Sequence, residues 1–279
     1  MQHTQSIDVV MLTKNSNKPW FRRVLNAIRR EIPVHHFIVV DGYSVDGTVD
    51  VVREFFKDKI LVVKTKAPLG CARYLGMKAV DTEWFAFIDS DVEILPGWFK
   101  VAQKYMHIPR IYGIQGVYRG DQQQVLPVLS PRSLNIKGVI IHGIVKLYGA
   151  DTANVLLRRD VVNLIEPAYL CQLECGEDAY IAWKIIEVGF LYIKVGGMKA
   201  VHYVDPGLAL TKTFKRSLGC NGIFYAIPFK AYMISCSLRF LSSLFKRKKH
   251  FAHYLLCLIG GPISWIKTKR LTKICRRGV

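Results

Sequence analysis

The segment FAFIDSDVEI, residues 85–94, places Asp89 and Asp91 two positions apart, directly behind four apolar residues. If a strand ran on through them, its two-residue period would put both carboxylates on one face; if the chain turned there, both would still project into one crevice. Either way hard oxygen ligands converge. Mg2+ or Mn2+ is held by such ligands together with substrate phosphate oxygens rather than in an all-protein cage. Glu93 adds a further acid at the next alternate position. The plain alternative is that Asp89 and Asp91 cap the turn after a strand. Against it, the apolar flank WFAFI sets them at the edge of a buried strand, where unpaired like charges are costly without a cation.

Something must hold those acids in place, and the pattern around them predicts it. Residues 7–12 are a short apolar run, followed by polar 13–17 and a helical spacing of Trp20, Phe21, Val24, Leu25 and Ile28. The same strand-then-helix signal recurs at 37–40 and 48–56, and again at 60–63 and 73–80, before a fourth strand at 84–88. This alternation predicts an α/β fold with a mainly parallel central sheet flanked by helices on both faces. Chemistry in such a sheet gathers beyond the carboxyl ends of the strands, which is where Asp41 and Asp89 fall. Residues 111–160 are less regular, with a strand at 155–157, and read as a half with mixed strands. A helix over 176–189 and a strand over 190–195 follow, then a loop around His202.

Five pieces in this order resemble family 2 of the inverting glycosyltransferases, which have the GT-A fold. They are DVVMLTKNS at 8–16, DGYSVDGT at 41–48, GCARYLG at 70–76, DSD at 89–91 and GEDAYIAWKIIEVG at 176–189. The resemblance covers roughly residues 7–205. It implies a nucleotide-sugar donor and a bound Mg2+ or Mn2+. It implies that Asp41 contacts the nucleotide base, that Arg73 lies near base and phosphates, and that Asp89 approaches the ribose and the metal. Asp91 would bind the metal directly and Asp178 would deprotonate the acceptor. His202 is similar to a histidine that some members place on the metal or diphosphate. Many members have two adjacent acids and a glycine where this chain has Asp41, Gly42 and Tyr43, so uracil and guanine both stay open as the base.

The chemistry asks for the same set. Breaking the bond from an anomeric carbon to a nucleotide diphosphate develops negative charge on the leaving phosphate, which a divalent ion and nearby cations stabilise. An acceptor hydroxyl attacking from the opposite face loses its proton to a carboxylate within reach. Asp178 also has a bland reading, as an acid that with Glu177 complements a helix N-terminus. A lipid phosphate acceptor would need no strong base, and Asp178 would then orient substrate or metal. Arg73 could equally be a surface arginine and His202 a satisfied loop histidine. Asp151 and Asn154, in GADTAN, are read as contacts to donor sugar or acceptor, with Gly149 and Ala150 permitting close approach. Lys14 and Asn15 are weaker donor-pocket candidates. Asp46 and Thr48 read as scaffold for their loop and the following helix.

Composition bounds the rest. The 279 residues suffice for one buried α/β core plus an appendage, at 51% hydrophobic residues and a net charge of +19. The charge is uneven: residues 1–210 carry 25 Lys or Arg against 21 acids, whereas 211–279 carry 15 against none. The division expected is a catalytic domain at 1–210, with a nucleotide-sugar half at about 1–110 and an acceptor half at about 111–210, and a tail at 211–279. Apolar runs at 223–245 and 251–266, edged by cations at 246–249 and 267–277, predict helices that lie in or dip into an anionic membrane surface. Packing on the catalytic domain, or a homo-oligomer contact, is the alternative use of these helices. Seven scattered cysteines favour neither a zinc site nor a disulfide framework. They fit a reducing compartment, and residues before Lys14 are too polar for a secretory signal. The location expected is the cytoplasmic face of the cell membrane.

The leading expectation is an inverting glycosyltransferase acting on a membrane lipid-linked or polyprenyl-phosphate acceptor. Its rivals are a transferase with a soluble saccharide acceptor and a nucleotidyltransferase, which would also use paired aspartates and a metal. A nucleic-acid-binding protein would need a basic face interleaved with exposed aromatics. The continuous apolar runs of the tail argue against nucleic acid as a partner.

Overall fold

The computed structural model describes residues 5–118 and 150–203, short strands at 126–127, 134–136 and 139–141, and the single residues Ser237, Pro262 and Ile266. Apart from those three positions, the tail expected at 211–279 and its membrane attachment lie outside the described residues. Among the described residues, no helix is long and apolar enough to cross a membrane.

The first half follows the strand-helix alternation closely. Strand β1 (Ile7–Thr13) leads to α1 (Phe21–Glu31), β2 (Val34–Asp41) to α2 (Thr48–Phe56), and β3 (Ile60–Lys64) to α3 (Leu69–Lys78), before β4 (Trp84–Ile88). The four strands pair in the order β3-β2-β1-β4, all parallel. The second half runs β5 (Val92–Ile94), α4 (Trp98–Met106), β6 (Ile111–Tyr118), β7 (Leu126–Pro127), β8 (Leu134–Ile136), β9 (Val139–Ile141), β10 (Asn154–Arg158), α5 (Pro167–Leu170), α6 (Glu177–Glu187) and β11 (Leu191–His202). The main sheet continues from β4 through β10, β6 and β11 to β5, with β7 also on β11, while β8 and β9 form a separate antiparallel pair.

The sheet as a whole is mixed. Strand β10 lies antiparallel between β4 and β6, and β11 is parallel to β6 but antiparallel to β5. This is the irregular half that the sequence signalled at 111–160. Its paired strands are too far apart in sequence for periodicity to give their partners.

Both faces of the sheet are covered, which explains why its strands read as continuous apolar runs rather than alternating ones. On β1, Val9 and Met11 face one core and Val10 the other; on β4, Trp84, Ala86 and Ile88 divide in the same way from Phe85 and Phe87. The first core is closed by α1, α2 and α4, through residues such as Phe21, Leu25, Val52 and Trp98. The second is closed by α3, α5 and α6, through Met77, Leu170, Tyr180 and Ile185. Each fully buried side chain of this kind contributes roughly 1.5–3 kcal/mol, enough to hold the loops at the strand ends in register.

Helix α3 docks on the segment after α5 at very short range. A Cβ on Gly70 would lie 2.1 Å from the Leu170 carbonyl oxygen, and the Gly70 N–H donates to the Leu173 carbonyl at 2.9 Å. The same contact joins Cys71 to Cys171 as a disulfide across 100 residues. This corrects the expectation from cysteine spacing, which sees only neighbours in sequence; the pair is made by α3 meeting α5.

A carboxylate-rich candidate active site

After β4 the chain turns instead of continuing. The Asp89 N–H donates to the Ala153 carbonyl at 3.1 Å, the Val92 N–H donates back to the Asp89 carbonyl at 3.0 Å, and β5 then leaves to pair with β11. The turn directs Asp89, Ser90 and Asp91 into a cleft of about 730 Å³ at the carboxyl ends of β1, β2 and β4. Glu93 goes elsewhere: it pairs with Arg23 at 3.1 Å and accepts from the Tyr203 hydroxyl, on the side away from the cleft.

Of the residues singled out by sequence, Arg73, Asp89, Asp91, Asp151, Asp178 and His202 all line this cleft, as does Lys14. His202 is not in a loop but is the last residue of β11, opposite Val92. That pairing sets its Nε2 3.4 Å from Asp91 Oδ2, with both side chains about two-fifths exposed. The Asp91 carboxylate raises the His202 pKa, outweighing the lowering effect of burial. Tyr118 stacks on the His202 ring at 5.3 Å and donates its hydroxyl to Asp151. Burial and the Asp151 charge drive the Tyr118 pKa far up, so it remains a donor.

Arg73 is buried, 3% exposed, and its Nη2 donates to Asp89 Oδ1 at 2.8 Å. Its Nε lies 3.8 Å from Glu177 Oε1 and its guanidinium carbon 4.9 Å from the centre of the Phe87 ring. Burial alone would lower the Arg73 pKa, but Asp89 and Glu177 more than offset it. Burial raises that of Asp89, against the pull of Arg73. Arg73 Nε and Nη1 have no hydrogen-bond partner among the described residues.

Asp178 is delivered by the first turn of α6. Gly176 adopts φ +80°, a left-handed conformation open to glycine, and this swings Glu177 and Asp178 into the cleft wall. Burial, together with the neighbouring Glu177 charge, pushes the Asp178 carboxyl up to about 8. Its Oδ1 accepts from the Ala179 N–H at 2.7 Å.

Two of the expected site residues do not face the cleft. Asp41 is fully buried and its oxygens accept from the Thr13 hydroxyl at 2.8 Å and from the Ser44 N–H and hydroxyl at 2.9 and 2.6 Å. It organises the loop, and Gly42 beside it lines the cleft. Asn154 is also fully buried, its Oδ1 accepting from Trp98 Nε1 at 2.7 Å. Both are polar residues whose partners come from other elements, so their orientation was not readable from their positions in sequence. Asp46 and Thr48 do organise their loop, Asp46 accepting from the Asn17 N–H at 2.9 Å and the Thr48 N–H at 3.1 Å. Asn15 belongs with them, its Oδ1 accepting from the Val45 N–H at 2.9 Å.

Glu177 is the residue that sequence reading undervalued. It is 4% exposed and forms the far side of the Arg73 site. The signal was there: with Tyr180, Ile181 and Ile185 it falls on the apolar stripe of α6, where an acid needs a partner.

Among the described residues, one group of three offers metal-capable atoms within 4.8 Å of one another: Asp8, His35 and His36. Asp8 opens β1 whereas the cleft lies at its carboxyl end. The cluster is therefore remote from Asp89 and Asp91.

Solved structures similar to this one share its fold at low identity. A mannosyltransferase, PcManGT from Pyrobaculum calidifontis, solved with GDP-Man and Mn2+, aligns with a TM-score of 0.62 and 14% identity over 96% of this chain and 88% of its own. TarS residues 1–349 from S. aureus, solved with UDP, aligns with a TM-score of 0.55 and 15% identity over 88% of this chain and 74% of its own. GalNAc-T7 with UDP, GalNAc and Mn2+ aligns with a TM-score of 0.56 and 13% identity over 74% of this chain and 45% of its own. A search by sequence among curated proteins finds no match. The family model for glycosyl transferase family 2 matches residues 8–161, from the first strand through the turn that carries Asp89 and Asp91 to just past the end of β10. That match spans more than half of the chain, and the protein accordingly belongs to glycosyl transferase family 2, as an enzyme of sugar transfer.

Proposed function

We propose that the enzyme is an inverting glycosyltransferase that moves a sugar from a UDP- or GDP-sugar to a lipid-linked or polyprenyl-phosphate acceptor, working at the surface of a cell membrane. The observation that carries the donor half is the charge of the cleft. Among its described lining residues, Asp89, Asp91, Asp151, Glu174, Glu177 and Asp178 stand against Lys14, Arg73 and His202. An anionic diphosphate enters such a cleft only with a cation to offset the repulsion.

Asp91 and His202 fit that need. They are partly exposed, side by side at 3.4 Å, and supply one hard oxygen and one imidazole nitrogen. With Asp89 they are the residues that would hold Mg2+ or Mn2+. When bound, the ion supplies positive charge where the leaving diphosphate becomes negative.

The chain's own residues do the rest. Arg73 is a fixed positive charge in the cleft wall, held by Asp89 and Glu177 so that no reorganisation is needed as charge develops. The acceptor oxygen bonds to the anomeric carbon from the face opposite the donor phosphate while the carbon-oxygen bond to that phosphate breaks. The bonding pair leaves with the diphosphate, and the centre inverts. Asp178 receives the proton of an acceptor hydroxyl; for an acceptor phosphate it orients the nucleophile. Tyr118 steadies Asp151 and His202 from beside the cleft.

The acceptor half of the proposal draws on the tail, where residues 211–279 contain 15 Lys or Arg and no Asp or Glu. On this reading residues 1–210 carry the chemistry and 211–279 the attachment to an anionic surface. The experiment is a donor screen of UDP- and GDP-sugars with Mg2+ or Mn2+, in vesicles containing a polyprenyl phosphate, on wild type and Asp91→Ala. Metal-dependent release of nucleoside diphosphate with glycolipid formation, lost in the variant, is expected. Pyrophosphate released from a nucleoside triphosphate would instead identify a nucleotidyltransferase, and no turnover of any donor would overturn the reading.

A further inference from the structure

At the end of the sheet opposite the cleft, the pairing of β1 with β2 is irregular. Ile7 is opposite Val34 and Val9 is opposite Phe37, so the single residue Asp8 faces two residues, His35 and His36. In an unbroken strand two consecutive histidines would point to opposite faces. The extra residue re-aims one of them, as bulges do, and the two rings lie 4.0 Å apart. One ligand atom from each of Asp8, His35 and His36 falls within 4.8 Å of the others.

The carboxylate in this group is rigidly held. Asp8 is fully buried and accepts from the His36 N–H at 3.0 Å, the Asp81 N–H at 2.7 Å and the Thr82 N–H at 3.0 Å. A carboxylate has about four acceptor positions, so about one is left. It faces His36 Nδ1, which lies 3.4 Å from Asp8 Oδ1 and 3.8 Å from Asp81 Oδ2. That ring nitrogen is itself buried and has no hydrogen-bond partner among the described residues. Two carboxylate oxygens and an unpartnered imidazole nitrogen thus surround one small space, with the exposed ring of His35 at its rim.

We infer that Asp8, His35, His36 and Asp81 form a second metal site, one that binds a borderline divalent ion of the Zn2+ class. Two imidazoles with one or two carboxylates are the donor set such an ion takes in four-fold coordination, whereas Mg2+ prefers oxygen alone. His35 and Asp81 are exposed side chains that can rotate inward, while Asp8 and His36 form the fixed half. The ion would clamp the starts of β1 and β2 to the turn before β4, a structural task. Asp8 lies five residues before the cleft end of β1, roughly 16 Å at about 3.3 Å per residue. The site therefore does not depend on the proposed transfer reaction.

The test uses the full-length protein after chelation, titrated with Zn2+ by calorimetry and with Co2+ by visible absorption, alongside thermal melts. Asp91→Ala, whose cleft site is disabled, should bind one ion with a four-coordinate Co2+ spectrum, wild type should bind that same ion beside any held in the cleft, and both should gain melting temperature with Zn2+. His35→Gln, at an exposed position that keeps the fold, should weaken this ion at least tenfold, and His35→Gln with His36→Gln should abolish it. Unchanged Zn2+ affinity, Co2+ spectrum and melting shift in the double variant would overturn the assignment, because the ion would then sit in the cleft or on other residues. Absence of Zn2+ binding by wild type would overturn it as well.

Discussion

Arg73 Nη2 donates to Asp89 Oδ1 at 2.8 Å, and this bond joins α3 to the turn after β4 across the wall of the cleft. The same arginine faces Glu177 of α6 at 3.8 Å. One buried cation therefore ties together three elements that belong to distant parts of the chain, and it determines where two of the six cleft acids point.

Removing it should be costly for the fold itself. Arg73→Met leaves Asp89 and Glu177 without their cation, and breaking a buried pair from one side costs about 3 kcal/mol or more. Urea unfolding should show that loss. Adding Glu177→Gln to Arg73→Met should recover part of it, since the second change removes the charge left behind.

Asp91 is the opposite case. Its side chain is 40% exposed and, among the described residues, pairs with His202 alone, so Asp91→Ala should leave the melting temperature within a degree or two. Nucleoside diphosphate release should nevertheless fall by at least about a hundredfold, the scale on which loss of one stabiliser of developing charge is felt. A coupled diphosphate assay, run beside a thermal melt, separates the two effects.

The raised Asp178 pKa, about 8, predicts that transfer to a hydroxyl acceptor climbs with pH as the carboxylate forms, then levels off above about 8. Asp178→Asn should remove that limb of the profile. The stability consequence has the opposite direction. Between an unfolded value of about 3.9 and the folded one, the native chain holds a proton that the unfolded chain has released. This contribution is fully present at low pH and is lost as pH rises through about 8. Urea midpoints measured from pH 5 to 9 should fall more steeply in wild type than in Asp178→Asn.

The join between α3 and α5 should respond to reductant. The Cys71–Cys171 disulfide spans 100 residues; chain entropy makes a loop of that size worth up to about 4.7 kcal/mol, and disulfides typically deliver about 2–4 kcal/mol. Dithiothreitol should lower the melting temperature of wild type, and by less in Cys71→Ser. Gly70→Ala should destabilise independently of redox state, because its Cβ would meet a backbone oxygen at 2.1 Å.

Much of the parallel half was legible. Helix α2 and strand β4 fall on the spans that periodicity alone predicts, and β1, β2 and β3 differ from them only at their ends. Apolar runs and 3.6-residue spacing are local properties, and in the first half consecutive elements are also neighbours in space. The Asp89–Asp91 pair was legible for the same reason: two acids behind a buried strand must project at its end.

What the chain order could not show is which polar groups meet. His202 reaches Asp91 because β11 pairs with β5, Cys71 reaches Cys171 because α3 docks on α5, and Asp41 turns inward because Thr13 and Ser44 offer it donors. Residue types, apolar spacing and the order of the motifs were in the sequence from the start. Partners, burial and charge balance came only with the tertiary structure, because a carboxylate's role depends on the groups that long-range packing brings within a few ångströms of it.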